Sequence, residues 1–393
     1  MAAATDHTDR GHALLSASGS ARWINCPPSA RLEEHVPDQT SVYAQEGTLA
    51  HELADIMLTH ELGRMTKGTY TKQFKAIKEH ELYTDEMPDQ VSKYVNTIIE
   101  AYNEVKTQTP DAVILLEQKL DYSHIVPGGY GTGDCVIIGD GILSVIDLKY
   151  GKGQKVEAKQ NSQLRLYGLG ALNKYSLMFD IERVKLCIIQ PRLNHADQEE
   201  LTVSQLEQWG LEVVKPAAEL AEKGEGLQKA GSWCRWCKVK GKCATLAAAN
   251  VKLARHEFKS PHLLTDEQIL QVYKQIDQLT DWAAAVKAHV MQEALEGKVW
   301  PGYKLVEGRS NRVINDPTKA AQVLLGEGYS ADEFTQSKLL GIGALEKLLG
   351  KKVYAELLGA FTIKPQGKPT LVDENDKRPG LGLDQAKNDF KTN

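Results

Sequence analysis

Asp134 and Asp147 flank the sequence Gly139-Asp140-Gly141, and Lys149 stands two residues beyond the second carboxylate. Residues 130–138 and 142–149 are rich in Val and Ile, so both read as strands, and Asp140-Gly141 suits a two-residue type I′ turn. If Gly139 pairs with Ile142, Asp134 falls opposite Asp147 and the two carboxylates share a face. Opposed Cβ atoms lie about 4.5–5.5 Å apart, and ionised carboxylates that close repel unless a cation lies between them. Lys149 projects from the same side as Asp147. Hard divalent ions such as Mg²⁺ or Mn²⁺ take oxygen ligands, keep several waters and contact phosphates. An ammonium beside them orients the attacking water or stabilises charge in a phosphorane-like transition state. The trio therefore suits metal-assisted phosphodiester hydrolysis, although Asp-x-Lys alone also occurs on solvated strand faces.

Upstream lies Glu46-Gly47-Thr48-Leu49-Ala50-His51-Glu52 on a helical stretch, and Glu117 sits in the apolar run 112–120. Downstream, Gln163-Leu164-Arg165-Leu166-Tyr167 puts Gln163 and Tyr167 on one helical face. On these residues the chain resembles the PD-(D/E)XK nuclease superfamily and, within it, the RecB-like exonucleases. The resemblance implies that His51, Asp134 and Asp147 bind the metal, with the backbone carbonyl of Leu148 a further ligand. It further implies that Glu117 is the acidic residue of the preceding strand, and that Gln163 and Tyr167 hold the substrate strand or brace Lys149. Gly133-Asp134 replaces the superfamily's Pro-Asp, as in many RecB-like members. Each residue also has a plainer role. His51 suits a helix surface, Glu117 a solvated sheet edge, and Tyr167, among Leu164, Leu166, Leu169 and Leu172, a core position.

Cys234, Cys237 and Cys243 cluster in one segment, while Cys26 stands far upstream. In a chain without an export signal, such thiols argue for zinc or iron–sulfur ligation rather than disulfides. The arrangement, with Cys26-Pro27-Pro28 preceded by Ser16 to Trp23, is similar to the iron-staple nucleases of the AddB-like and CRISPR-associated RecB-like kinds. That resemblance implies a [4Fe–4S] cluster clasping the first helix to the end of the nuclease fold. Zinc, or simply buried thiols, is the alternative. Cys135 and Cys187 lie in apolar runs and read as core residues.

The elements that must position these groups follow from periodicity. Helices extend from the His51 region to about Val105. Strands follow at 112–120, 130–138, 142–149 and 184–190, with a helix at 160–172 crossing before the last. The expected fold class is α/β: a restriction-endonuclease-like core, with a mixed sheet flanked by helices, a four-cysteine clasp and an extra helical C-terminal region. Helices are expected at 204–223 and 245–257. The expected division is 1–259 as nuclease domain, 260–300 as a long helix capped by Thr265, and 301–393 as a small accessory domain with a polar tail. In the accessory domain, strands at 302–306 and 309–314 carry Lys304, Arg309 and Arg312, and a helical unit spans 317–358.

Composition bounds the partners. With 393 residues, 42% hydrophobic and 25% charged, the chain reads as soluble and globular. A polar N-terminus and the lack of a membrane-length apolar run point to the cytoplasm, that of a bacterial host if the chain is phage-encoded. A formal net charge of -5 argues against indiscriminate coating of nucleic acid, so DNA contact would rely on local cations. Lys149, Lys152, Lys155 and Lys159, and Arg235, Lys238, Lys240 and Lys242 around Trp236, supply two such groups. The expectation is a Mg²⁺- or Mn²⁺-dependent DNA exonuclease acting at duplex or single-strand ends in phage recombination or end processing. A single-strand annealing protein as companion and a homo-oligomer fit the family analogy. The rivals are a catalytically silent DNA-binding accessory protein and a zinc-containing structural or interaction protein.

Overall fold

The computed structural model describes residues 13–37, 41–256, 265–308, 312–335, 339–365, 369–373 and 379–380. The expected polar N-terminus, residue 257 of the expected helix, the start of the 260–300 segment, Arg309 and the end of the tail lie outside the described residues. The chain divides into two compact units, residues 1–282 and 283–393.

In the first unit, α1 (Ser20–Asn25) and α2 (Ser29–Glu33) precede three longer helices, α3 (Val42–Glu61), α4 (Lys67–Lys78) and α5 (Met87–Gln108). Next come β1 (Val113–Asp121), β2 (Tyr130–Gly139) and β3 (Ile142–Leu148), then α6 (Ser162–Tyr175), β4 (Arg183–Gln190) and β5 (His195–Thr202). The five strands form one mixed sheet in chain order, parallel only at β3–β4, where α6 makes the crossover. Helices α7 (Val203–Trp209) and α8 (Lys215–Lys223) follow, then α9 (Ala244–His256) and the long α10 (Asp266–Leu295), whose residues from 283 onwards belong to the second unit. A π-helical turn at Gly210–Val214 joins α7 to α8, within the stretch the sequence presents as one helix.

The sheet is a mixed α/β layer with a core on each side. Val136, Ile138, Leu143, Val145, Val184 and Leu186 pack towards α6, whose Leu164, Leu166 and Leu169 are buried against them. Ile137, Ile146, Leu148 and Ile189 pack towards Leu49 and Leu53 of α3 and Val91 and Ile98 of α5. Burial on both faces explains the near-continuous apolar runs of the central strands. The fifth strand, β5, escapes a hydrophobic reading because it is a polar edge strand, His-Ala-Asp-Gln-Glu-Glu-Leu-Thr, alternating half-buried and exposed positions.

The second unit is helical with small strand pairs: β6 (Tyr303–Glu307), β7 (Val313–Ile314), α11 (Pro317–Gly326), α12 (Ala331–Phe334), α13 (Ile342–Leu349), α14 (Lys351–Leu358), β8 (Thr362–Ile363) and β9 (Pro369–Asp373). Phe334, Leu345 and Tyr354 anchor its own core. Within the stretch expected as a polar tail lie β8 and β9, which pair with β7 and β6 respectively. A strand completed by a distant partner carries little local signal. Among the described residues, no helix is long and apolar enough to cross a membrane.

Candidate metal and phosphate site

The hairpin has the register that its turn predicts. Gly139 pairs with Ile142 and the ladder runs to Cys135 and Ile146, so the next opposed position is Asp134 with Asp147. Asp140 and Gly141 both take positive φ, 53° and 66°, as a type I′ turn requires. Beyond Cys135 the ladder gives way to a side-chain bond: Asp134 Oδ2 accepts from the Leu148 amide at 2.7 Å.

The neighbouring ladder fails at the same level. β1 and β2 pair from Val113–Ile138 to Leu116–Cys135 and again from Gln118–Gly133, skipping Glu117 and Asp134. Glu117 has φ 49°, a left-handed conformation that costs a non-glycine residue about 1–2 kcal/mol. The strand alternation also switches there. Ile114 and Leu116 pack on the α3–α5 side, whereas Leu120 joins the α6 core and Gln118 accepts from Tyr175 of α6 at 2.8 Å. On β2, Cys135 faces the α3–α5 core, but a Cβ on Gly131 would lie 2.6 Å from the Tyr167 ring of α6.

Helix α3 supplies the third group at this break. Ser41 caps it, accepting from Ala44 N, and Glu46 near its start pairs with Arg192 at 2.9 Å. His51 Nδ1 thereby reaches Asp134 Oδ1 at 3.2 Å. Donor atoms of His51, Glu117 and Asp134 all lie within 4.8 Å of one another. Burial alone would lower the His51 pKa, but the Asp134 hydrogen bond and the charges of Asp134 and Asp147 outweigh it and raise the value. Glu117 reaches solvent, yet partial desolvation and then the charges of Asp134 and Asp55 push it up to about 7.

Asp147 and Lys149 form a second group beside the first. Lys149 Nζ lies 2.8 Å from Asp147 Oδ2, off the direction of a good hydrogen bond. Burial raises the Asp147 pKa against the pull of Lys149, and Asp147's charge raises Lys149 against its own burial. Lys149 Nζ also donates to Gln163 Oε1 at 3.2 Å, and Gln163 Nε2 donates to Tyr167 Oη at 3.1 Å. Burial, then the Asp147 charge, pushes Tyr167 up to about 12, so it stays a phenol. Tyr167 is both core and brace: 7% exposed, within the α6 core and at the end of this relay.

Thus His51, Glu117 and Asp134 meet as one group of possible metal donors, Leu148 lines the same small cavity, and Asp147 faces Lys149 instead of joining them. Two polar cavity residues were missed in the sequence. Asp55 lies one turn beyond His51 on α3, a spacing that could have flagged it. Tyr94 of α5 lines the cavity with a buried hydroxyl that has no hydrogen-bond partner, and only packing brings it there. A buried hydroxyl left so costs roughly 1–3 kcal/mol, which a bound ion's water would relieve.

The loop after Lys149 is tied down. Buried Gln190 donates to the Gly151 and Gln154 carbonyls at 2.7 and 2.8 Å and accepts from Val156 N at 3.1 Å. Asp197 and Glu199 of β5 accept from Ala158 N and Gln160 N. Cys26, Cys234, Cys237 and Cys243 line a separate cavity, all as free thiols. Amides of Gly231 and Leu246 point at the sulfurs of Cys234 and Cys243, at 3.4 and 3.5 Å.

Two outcomes follow from Glu117. Replacing it by Gly should raise metal-free stability by about 1 kcal/mol, roughly 2–4 °C in Tm, by relieving the left-handed backbone. The same change should weaken Mn²⁺ binding in calorimetry at least about ten-fold; a lower Tm with unchanged binding contradicts the strained-ligand reading. In the folded chain Glu117 keeps its proton up to about pH 7, whereas its ordinary value is 4.5. Between those values the native state binds more protons than the unfolded one, so this contribution is lost as pH rises through about 7. Thermal melts of metal-free protein should show that decline, and Glu117→Gln should flatten it.

The solved structure titled "Crystal structure of SSO0001" aligns over 56% of this chain and 95% of its own length, at 16% identity and a TM-score of 0.21. A family model described as "Protein of unknown function (DUF2800)" matches residues 12–379, and the chain belongs to that family.

Proposed function

We propose that the chain is a divalent-cation-dependent deoxyribonuclease of the PD-(D/E)XK, RecB-like kind, an exonuclease acting at DNA ends in phage recombination or end processing. The observation that carries this reading is the meeting of His51, Glu117 and Asp134 beside the buried Asp147–Lys149 pair. Two carboxylates and an imidazole are a donor set for Mg²⁺ or Mn²⁺. The Tyr94 hydroxyl, buried on the same cavity without a hydrogen-bond partner, fits such a donor set because a water on the cation could satisfy it. When bound, the ion supplies charge to polarise a phosphate and lowers the pKa of its water.

The chain's own residues do the rest. Lys149, held between Asp147 and Gln163, presents an ammonium to the attacking water or the phosphate oxygens. Tyr167 fixes the Gln163 amide and so the direction of that ammonium. Asp134, fastened by the Leu148 amide, keeps Oδ1 turned to His51 and the cation position.

For the cysteines we infer a [4Fe–4S] cluster, with zinc as the alternative. The reading is supported by four thiols on one cavity and by amides aimed at two of the sulfurs, as is usual around cluster thiolates. Iron, acid-labile sulfide and zinc analysis of anaerobically purified protein decides between them. Iron with sulfide in equal amounts is expected, and one zinc without sulfide overturns the cluster.

For the nuclease, Asp147→Ala and Lys149→Ala should each lower Mg²⁺-dependent digestion of end-labelled linear DNA by at least about a hundred-fold while the circular dichroism spectrum is kept. Wild-type rates in both variants would remove the assignment. Wild-type protein that binds DNA but leaves linear and circular substrates intact would be an accessory protein.

A further inference from the structure

We infer that Trp236, braced by Arg235, is a base-stacking platform that delivers single-stranded DNA to the loop following Lys149. The inference deepens the nuclease reading and takes the candidate site from it. All six tryptophans lie within the described residues, and Trp236 alone is exposed, at 72%. Tryptophan is highly buried on average, so an indole left this bare calls for a reason. Trp23 of α1 shows the ordinary case, 3% exposed with its ring N–H donated to the Ser16 carbonyl.

The exposed indole is held in place. Arg22 donates to the Trp236 carbonyl at 3.3 Å, and Lys240 Nζ donates to the Arg235 carbonyl at 2.7 Å. The Arg235 guanidinium lies 5.6 Å from the Trp236 ring centre, in the range of a cation–π contact. Its other contacts are Gln154 Oε1, at 3.0 Å, and Asp281 Oδ2, 3.8 Å from its Nε. A rigid aromatic face beside a cation is what sequence-tolerant binding of single strands uses, because every base has a π-face and every linkage a negative charge.

Direction comes from Gln154. This residue is five positions beyond Lys149, at most about 18 Å of extended chain, and its carbonyl is pinned by Gln190. Exposed Lys152 lies between them, and exposed Lys155 follows, paired with Glu157 at 3.1 Å. An unpaired strand stacked on Trp236 would therefore run along a cationic, immobilised loop to the Lys149 ammonium. In a duplex the stack covers every base face except the outer face of the terminal pair, so it gains far less from the indole than an unpaired strand.

The test measures fluorescence anisotropy of labelled oligothymidylate, roughly 4–16 nucleotides long, on the full chain with EDTA so that no cleavage occurs. Trp236→Ala should weaken binding about ten-fold and Trp236→Phe much less, with a blunt duplex unaffected by either change. An abasic oligomer of equal length should bind the parent and the Ala variant alike. Unchanged oligothymidylate affinity in Trp236→Ala overturns the platform, as does an equal loss on the abasic oligomer. If Trp236-dependent binding is found but the parent with Mg²⁺ cuts nothing, the nuclease reading fails and the platform stands. If the parent cuts and the Ala variant binds and cuts single strands normally, the reverse holds.

Discussion

The candidate site depends on one rung of the sheet where alternation fails. Had Glu117 kept extended φ, β1 and β2 would have zipped past Asp134, which would then be a routine ladder position. With the break, Glu117 and Asp134 leave the ladder together and meet His51 from α3. Asp147, one strand further, keeps its position near α6 and so meets Lys149 and the Gln163–Tyr167 relay. The His51–Glu117–Asp134 group and the Lys149 ammonium thus sit side by side at the same level of the sheet. The strain at Glu117 is local, and the two cores either side, each anchored by long apolar strands, are large enough to hold it.

That division of labour was partly visible in the amino acids. The hairpin register was legible because Asp140-Gly141 accepts the positive φ that a two-residue turn demands, and a period of two then carries the register to Asp134. Helix α6 was legible from its apolar face, and the structure adds the Asn161 side chain that caps it. The break at Glu117 was not, because no glycine marks it. Tertiary groups that demand the geometry leave no local trace. Tyr94 was invisible for the same reason, and β5 because an edge strand needs no apolar periodicity. The cysteines were legible as a group because thiols are few, whereas the second unit's strand pairs join segments far apart in the chain.

The cysteine cavity and the candidate site are physically connected. Glu33 of α2, buried, accepts from Arg22 of α1 and from the Lys238 amide between Cys237 and Cys243. Arg22 reaches on to the Trp236 carbonyl, and Arg235 reaches to Gln154. Ser20 and Ser162 join α1 to the start of α6 at 2.6 Å. Whatever fixes the four thiols therefore also fixes the first helix, the exposed indole and one end of the loop that follows Lys149. Burial and Glu33 push Cys237 up to about 12, which disfavours a bare thiolate there.

A chain with a net charge of -5 cannot hold a polyanion by its overall field. To bind DNA as proposed, it would have to concentrate cations and hold them still. The loop from Gly151 to Gln160 shows how: its lysines project while its main chain is bonded to Gln190, Asp197 and Glu199. Arg165 makes two further bonds to Glu199, at 2.9 and 2.6 Å, so the carboxylate that holds the loop is itself held by α6. Acidic residues that raise the negative total thus act as anchors for the backbone beneath the positive ones. For the proposed DNA substrate, a loop ordered in advance would remove an entropic cost from binding, so a few lysines would do what a uniformly basic surface would otherwise be needed for.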